Sequence, residues 1–445
     1  MRKNERKLAI GDHVTWLTGL GLGLTVTMQI TTLSSFDFTD PYAVLTTISR
    51  LFALVGSYLS IIGLFLIARI PWVERAIGHD RLIVWHRKAM PYSLLFIALH
   101  VILVLVGSAG ANQRIIALEL WNYIAAYEWM LAATVGFVLL VMAGITSYKR
   151  VRAQIKYETW WVIHLYTYIG VALSFMHQVL HGSMFVGHPL NRAYWTSLYV
   201  AVAGAILLWR VGIPLYRSIK HEIRVERIEV EAPNVFSIYM KGRNLLSLKA
   251  QGGQFFNWRF MTGATWIENH PFSLSAAPTS NSMRITIKVL GDGTSHLARL
   301  PIGTRVIMEG PYGTFTKDVI AQDQHAVLIA GGVGVTPIRA LIDELPLSTT
   351  IDVIYRVKNA EDAPLLGELE QLEKDGRINF QFVPGPRDFR PINPESLLRM
   401  APNITFADVY VCGPETLVHS VRAACKELGL PNNRIHHEFF EYHAN

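Results

Sequence analysis

Residues 85–107, WHRKAMPYSLLFIALHVILVLVG, form a nearly unbroken apolar run that carries two histidines, His86 and His100. Hydrocarbon rarely tolerates ionisable side chains that have no task. A separation of fourteen residues is close to four helical turns, so both imidazoles fall on nearly one face, roughly 21 Å apart along the axis. A second run, HLYTYIGVALSFMH at 164–177, repeats the device with His164 and His177. Its thirteen-residue separation is only about 3.6 turns of an ideal helix and points His177 off the face of His164. Either this helix is distorted near Gly170 or the two sites are rotated relative to one another, and His181, one turn past His177, is a rival ligand. Two matched imidazole pairs suit the axial ligands of two haems stacked across a membrane. Membrane histidines bonded to neighbouring helices, or a proton relay, are the alternatives.

Outward from these runs, the chain of 445 residues is 51% hydrophobic, too long for one domain and too apolar to be wholly soluble. Six runs are each long enough to cross about 30 Å of hydrocarbon: near 14–33, 43–70, 82–107, 124–146, 160–180 and 195–216. The basic segments MRKNERK, RIPWVERAIGHDR, SYKRVRAQIK and YRSIKHEIRVER share one face, and SSFDFTDPY lies opposite. Positive residues mark the cytoplasmic side, so both termini are expected there, in a multi-pass protein of the plasma (inner) membrane. The net charge of +7 is carried mostly by these flanks, which fits a lipid bilayer as partner and gives no sign of nucleic acid. The first apolar run is long and no small-residue cleavage site follows it, so it is expected to be retained as a helix. Cys412 and Cys425 are the only cysteines, too few for a four-cysteine cluster, so any redox centre is organic or haem.

After Tyr216 short alternating segments take over, such as RVERIEVEAPNVFSIYMKG and MRITIKVLG. These predict a small antiparallel β-barrel. From HAVLIAGGVGVTPIRALIDEL onward, apolar strands alternate with helical stretches, the pattern of an α/β doubly wound parallel sheet. The expected organisation is therefore a multidomain membrane protein: a tail at 1–12, a six-helix α-helical transmembrane bundle at 13–218, a barrel at 219–322 and a nucleotide-binding domain at 323–445. Gly331, Gly332 and Gly334, followed by Thr336 and Pro337, sit where a buried strand gives way to a helix. Glycines there let the backbone approach a pyrophosphate, with helix amides as the anion seat. The third glycine of the usual fingerprint is replaced by proline, so this is a variant of it.

These residues resemble the ferric reductase and NADPH oxidase superfamily, whose members join six haem-bearing helices to a ferredoxin-reductase-like module; the likeness spans nearly the whole chain. It implies three cofactor types: two b-type haems, FAD and NADPH, with NADH possible. His270-Pro271-Phe272-Ser273 looks like the family's flavin motif, aromatic beside the ring system and hydroxyl toward its N5 edge, and Gly253-Gln254-Phe255 resembles the strand before it. Lys288 with Gly291, Gly293, Thr294 and Ser295 resembles the segment that holds the FAD pyrophosphate, and a cation with small residues opening a helix suits an anion. Cys412-Gly413-Pro414 resembles the second nucleotide motif, with Cys412 expected near the nicotinamide. Arg356 and Lys358 end the second strand, with no acid until Glu361 and Asp362; arginine there suits a 2′-phosphate and favours NADPH. The tail EFFEY resembles the segment whose aromatic covers the flavin, Phe440 or Tyr442.

The family's pairing would join His86 to His164 on an inner haem and His100 to His177 on an outer one. Arg50, expected to be buried in the second helix toward the outer leaflet, would face a haem propionate or a small acceptor, with helix pairing as the alternative; Arg87 and Lys88 would serve inner propionates or simply anchor the chain. The resemblance implies an electron relay with no acid–base or nucleophilic residue. Its acceptor is either O2, giving superoxide, or a ferric chelate; an electron donor to a membrane or periplasmic partner is a further alternative. Histidine spacing and Arg50 look more like the oxidase branch, whereas position 104, where similar animal oxidases place a histidine, is Val104. A transporter with a flavoprotein regulatory domain would carry no haem. Oligomeric state is open, and activity is expected to be constitutive.

Overall fold

Apolar residues at helical spacing make the first part of the chain a set of packed helices. The computed structural model describes residues 3–32, 39–266, 268–320, 325–386 and 391–439, divided into two compact units, Met1–Val211 and Gly212–Asn445. The first unit holds α1 (Lys3–Ile30), α2 (Pro41–Leu66), α3 (Pro71–Ile77), α4 (His79–Ala111), α5 (Ile116–Ala126), α6 (Met130–Ser147), α7 (Lys149–Arg152), α8 (Tyr157–Leu173), α9 (Phe175–His181) and α10 (Pro189–Ile206). A π-helical turn, Leu207–Gly212, follows α10.

Small residues set the closest approaches. A Cβ at Gly56 of α2 would lie 2.9 Å from the Ile97 side chain and 3.1 Å from the Ser93 carbonyl of α4, and a Cβ at Gly136 of α6 would lie 2.7 Å from the Gly170 carbonyl of α8. Backbones brought this close gain the packing and interhelical hydrogen bonds that drive association where no hydrophobic effect operates. Ser93 Oγ donates to the Gly56 carbonyl at 2.7 Å and pairs with Ser60 Oγ at 2.7 Å. Among the described residues, four helices are long and apolar enough to cross a membrane: Pro41–Leu66, Arg81–Ala111, Met130–Ser147 and Pro189–His221. The first expected run lies in α1, diluted by Gly and Thr, and the fifth is divided between α8 and α9.

The division falls at Ser174, with φ −80° and ψ −6°, four residues beyond the Gly170 expected from sequence. Ser174 Oγ donates back to the Gly170 carbonyl at 2.8 Å, a contact that bends helices.

The second unit begins with α11 (Ile213–His221) and holds β1 (Arg224–Ala232), β2 (Val235–Lys241), β3 (Phe255–Phe260), β4 (His270–Ser273), β5 (Ser282–Lys288), α12 (Asp292–Leu297) and β6 (Val306–Tyr312). These strands form two three-stranded antiparallel sheets, β1-β2-β5 and β4-β3-β6, with isolated antiparallel bridges at Arg224–Arg305 and Leu274–Ile285. Alternate residues Phe236, Ile238 and Met240 meet Phe256, Trp258 and Phe260 in one core, as period-2 patterning requires.

The chain continues through β7 (His325–Gly331), α13 (Val335–Ile342), β8 (Thr350–Val357), α14 (Leu366–Lys374), β9 (Asn379–Pro384), α15 (Pro394–Met400), β10 (Asp408–Gly413), α16 (Glu415–Glu427) and β11 (Ile435–Phe439). The five strands are all parallel in the order β11-β10-β7-β8-β9. Separate apolar clusters cover the two faces of the sheet, as doubly wound folds demand. Strand order reverses between β7 and β10, so the carboxyl ends of those two strands open the crevice where such sheets bind ligands.

Candidate functional site

On α4, both histidines are held by main-chain carbonyls of α2. His86 Nδ1 lies 3.0 Å from the Gly63 carbonyl and His100 Nδ1 lies 3.1 Å from the Ser49 carbonyl. A carbonyl only accepts, so each Nδ1 carries the proton and each Nε2 keeps its lone pair, the tautomer that an Nε2-ligating histidine needs. The Ser93 hydroxyl bond to Gly56 falls midway. Donors at 86, 93 and 100 thus meet carbonyls at 63, 56 and 49, a seven-residue ladder on both helices. A seven-residue repeat keeps one seam facing its partner, which is why fourteen residues leave both imidazoles on one side.

The histidines expected to pair with these lie on α8 and α9. The His86 and His164 ring centres are 6.3 Å apart with planes at 75°. A metal ion held between two imidazoles by bonds of about 2 Å needs ring centres about 6 Å apart, so this pair fits an axial haem ligand set. Trp160 stacks on His164 at 5.0 Å, and Ser147 Oγ accepts from Trp160 Nε1 at 3.0 Å. His177 is an electrostatic neighbour of His100, and its buried Nδ1 lies near the Ser174 carbonyl without meeting hydrogen-bond geometry. His181 is exposed, with Nε2 3.0 Å from the Glu128 carbonyl and its ring against Tyr127. Among the described residues no group of three or more His, Cys, Asp or Glu could hold a metal ion; a haem asks for pairs. Arg50 lies on the outer surface of α2 beside the buried Ser49, and it is an electrostatic neighbour of His100. Helix geometry turns successive residues by about 100°, which separates the two faces.

In the second unit, β4 carries His270-Pro271-Phe272-Ser273 against β3, with Ser273 opposite Phe255 and His270 opposite Trp258. Gly253 has φ +85°, and Gln254 reaches from it to the Gly313 carbonyl at 3.3 Å, which sets the start of β3. His270 stacks parallel to Phe272 at 5.8 Å. Burial first, and Arg259 next, push the imidazole of His270 down to about 4. It is therefore neutral near pH 7, although Glu268 lies 3.2 Å from it. His270 Nε2 and Asn269 Oδ1 are buried without hydrogen-bond partners, polar atoms that fit a flavin with its own donors and acceptors. A Cβ at Gly293 would lie 3.3 Å from Glu268 Oε2 and 3.9 Å from His270 Cε1, so α12 opens against this strand. Two amides of that loop are already taken: Thr294 Oγ1 accepts from Leu290 and Gly291. Ser295 lies in α12 one residue further on.

The glycine turn lies at the switch point. Gly332 has φ +56° and Gly413 has φ +157°, conformations that favour glycine. A Cβ on Gly334 would strike the Cys412 carbonyl, and one on Gly331 would lie 2.9 Å from Pro414. Two strand ends therefore touch backbone to backbone. Thr336 Oγ1 donates to the Val333 carbonyl at 3.0 Å, and Thr336 and Pro337 are buried in the first turn of α13. A cavity of about 460 Å³ opens here, lined by Gly331, Gly332, Lys288, Arg356, Lys358 and Asp362 among others. Lys288 thus faces the same space as the glycine turn. Cys412 is fully buried, and burial first, then Glu438, push its thiol well above the usual range. Phe440 and Tyr442 lie outside the described residues.

Residues 52–175 match the ferric reductase like transmembrane component family, 220–316 an FAD-binding domain and 328–423 an oxidoreductase NAD-binding domain. The chain belongs to the ferric reductase and NADPH oxidase superfamily. It is similar to NADPH oxidase 1 of Mus musculus, 25% identical over 295 residues, 54% of this chain and 48% of that one. It is also similar to flavohemoprotein A of Dictyostelium discoideum, 25% identical over 240 residues, 49% of this chain and 60% of that one. The chain thus spans about half of the length of such curated relatives. Among solved structures, the flavohem-like FAD/NAD binding domain of nitric oxide dioxygenase from Vibrio cholerae O1 biovar El Tor covers 50% of this chain and 99% of its own, with 22% identity and a TM-score of 0.41.

For a member of this superfamily the two units are a ferric-reductase-like membrane domain, hence a multi-pass membrane protein, and a flavin–nicotinamide oxidoreductase module. Several residues around the sites carry no motif. Glu438 pairs in register with Cys412, and a Cβ at Gly313 would lie 3.2 Å from its carboxylate. The carbonyls of Ser49 and Gly63 are main-chain groups, signalled only by the small residues at 49, 56 and 63.

Proposed function

We propose that this protein moves electrons from cytoplasmic NADPH through FAD and two b-type haems to O2 on the opposite side of the plasma (inner) membrane, giving superoxide. The observation that carries the proposal is the ladder between α2 and α4, which presents the Nε2 atoms of His86 and His100 as free lone pairs, with His164 at haem-ligand spacing from His86. In this reading α1 and the α8–α9 pair complete six crossings with both termini cytoplasmic, and the two three-stranded sheets are the halves of a barrel joined through their bridges.

The chain's own residues hold and orient. His86 with His164, and His100 with His177, would hold the inner and outer haems, which would supply one-electron transfer there. Arg50, one residue from the carbonyl that anchors His100, offers a cation to an outer propionate or to the acceptor. Asn269, His270, Phe272 and Ser273 hold the flavin ring system, with neutral His270 as a donor or acceptor. Gly331, Gly332 and Gly334 let the nicotinamide nucleotide's pyrophosphate approach the backbone, and Lys288 supplies a cation to the same space. Arg356 and Lys358 would bind the 2′-phosphate, and Cys412, kept protonated, would serve the nicotinamide end with Gly413 and Pro414. When bound, the flavin converts a two-electron donor into single-electron delivery and the haems supply the conduction across the bilayer.

A second reading, reduction of a ferric chelate, is favoured by Val104, since no second imidazole follows His100 by one turn. NADPH-driven cytochrome c reduction, measured with and without superoxide dismutase and in parallel with a ferric chelate, separates the two. Inhibition by the dismutase is expected; insensitivity with rapid chelate reduction would overturn the oxidase assignment.

A further inference from the structure

We propose that Gln178 is a positioning residue for the outer axial histidine, fixing the rotation of α9 and through it the direction of His177. The inference rests on the two-haem reading.

On a straight helix, thirteen residues would turn His177 about 140° away from the face of His164. The break at Ser174 removes that constraint but leaves a seven-residue helix, α9, whose rotation has to be set by something else. Gln178 does this with both ends of its carboxamide. Its Nε2 donates to the Ser174 carbonyl at the break at 2.7 Å, and its Oε1 accepts from Trp195 Nε1 at 2.8 Å. The Tyr199 hydroxyl sits at the same amide, 3.2 Å from Nε2 and 3.4 Å from Oε1. Trp195 is fully buried on α10, so the amide ties the break to a packed neighbouring helix.

The other histidines show why this matters. His86 and His100 each have Nδ1 fixed by an α2 carbonyl. His177 Nδ1 has no such bond, so its ring direction depends on where its helix points. An amide inside a membrane domain is costly unless employed, and both ends of the Gln178 carboxamide are employed.

The test uses the purified full-length holoprotein and three variants, Gln178→Leu, Trp195→Phe and His177→Ala, read by haem content per polypeptide and by low-spin electron paramagnetic resonance. The signal lost in His177→Ala identifies the outer haem. Gln178→Leu is expected to shift or lose that signal alone and to drop haem content from two toward about one; Trp195→Phe, which removes the indole bond together with part of a buried ring and leaves the bond from Gln178 to Ser174 in place, is expected to shift the same signal by less. Wild-type signals in Gln178→Leu, or equal shifts of both signals, would overturn the inference; if that variant does not fold, Trp195→Phe decides in the same way. A wild-type protein holding fewer than two haems would instead refute the two-haem reading.

Discussion

The membrane unit and the nucleotide-binding part of the second unit hold their expected cofactors in opposite ways. In the membrane unit the proposed ligands are side chains, His86, His100, His164 and His177, the first two aimed by hydrogen bonds to the backbone of α2. At the switch point the backbone itself comes forward, because Gly331, Gly332, Gly334 and Gly413 have no side chain in the way. The lesson is that deletion should be the damaging change in one region and addition the damaging change in the other.

The largest effect is expected from His86→Ala or His164→Ala: loss of the inner haem and abolition of NADPH-driven transmembrane electron transfer, measured by haem content and acceptor reduction, while flavin reduction by NADPH persists. Next comes Gly334→Ala, where the added methyl meets the Cys412 carbonyl and Gly413. Overpacking of this kind costs about 1–3 kcal/mol, to be read as weakened NADPH binding by the purified protein with haem content unchanged. If His86→Ala is tolerated and Gly334→Ala is not, the contrast survives only on one side.

Smaller effects sharpen it. Arg356→Gln is expected to reduce the NADPH-over-NADH preference about tenfold, equivalent to about 1.4 kcal/mol, measured as the ratio of kcat/KM values; Asp362, in the same cavity, is the group that would serve NADH. Ser93→Ala removes the middle rung of the α2–α4 ladder and should cost about 1 kcal/mol, seen as a lower thermal midpoint of the holoprotein with both haems retained. The smallest is a pH effect. His270, held near 4 in the fold against an ordinary 6.5, takes up fewer protons than the unfolded chain between those values. Its contribution is complete above pH 6.5 and is lost on acidification toward 4, amounting to about 0.7 kcal/mol between pH 7 and pH 6. His270→Gln should flatten that slope in denaturation of the flavin-binding module within the full chain.

Much of this arrangement is legible in the chain itself. The fourteen-residue interval between His86 and His100, the glycine turn after β7 and the alternation of strands with helices each encode local geometry, so they point directly to structure. Hydrogen bonds from His86 to Gly63 and from His100 to Ser49 are not legible, because a main-chain carbonyl has no side-chain identity and lies 23 and 51 residues away. The distortion of the fifth run is implied by its thirteen-residue interval, but its place is decided by the Ser174 hydroxyl and the Gln178 amide, which compete with the helix only once α10 is packed beside them. Thr294 shows the reverse: a residue expected at an anion seat has its hydroxyl occupied by its own loop amides.

The most direct test of the account is the anaerobic absorption spectrum of the purified full-length protein before and after NADPH, with haem counted per polypeptide. Two low-spin b-type haems that both become reduced on NADPH addition are predicted. A protein with no Soret band, or one whose haem is high-spin and stays oxidised while the flavin is reduced, would contradict it.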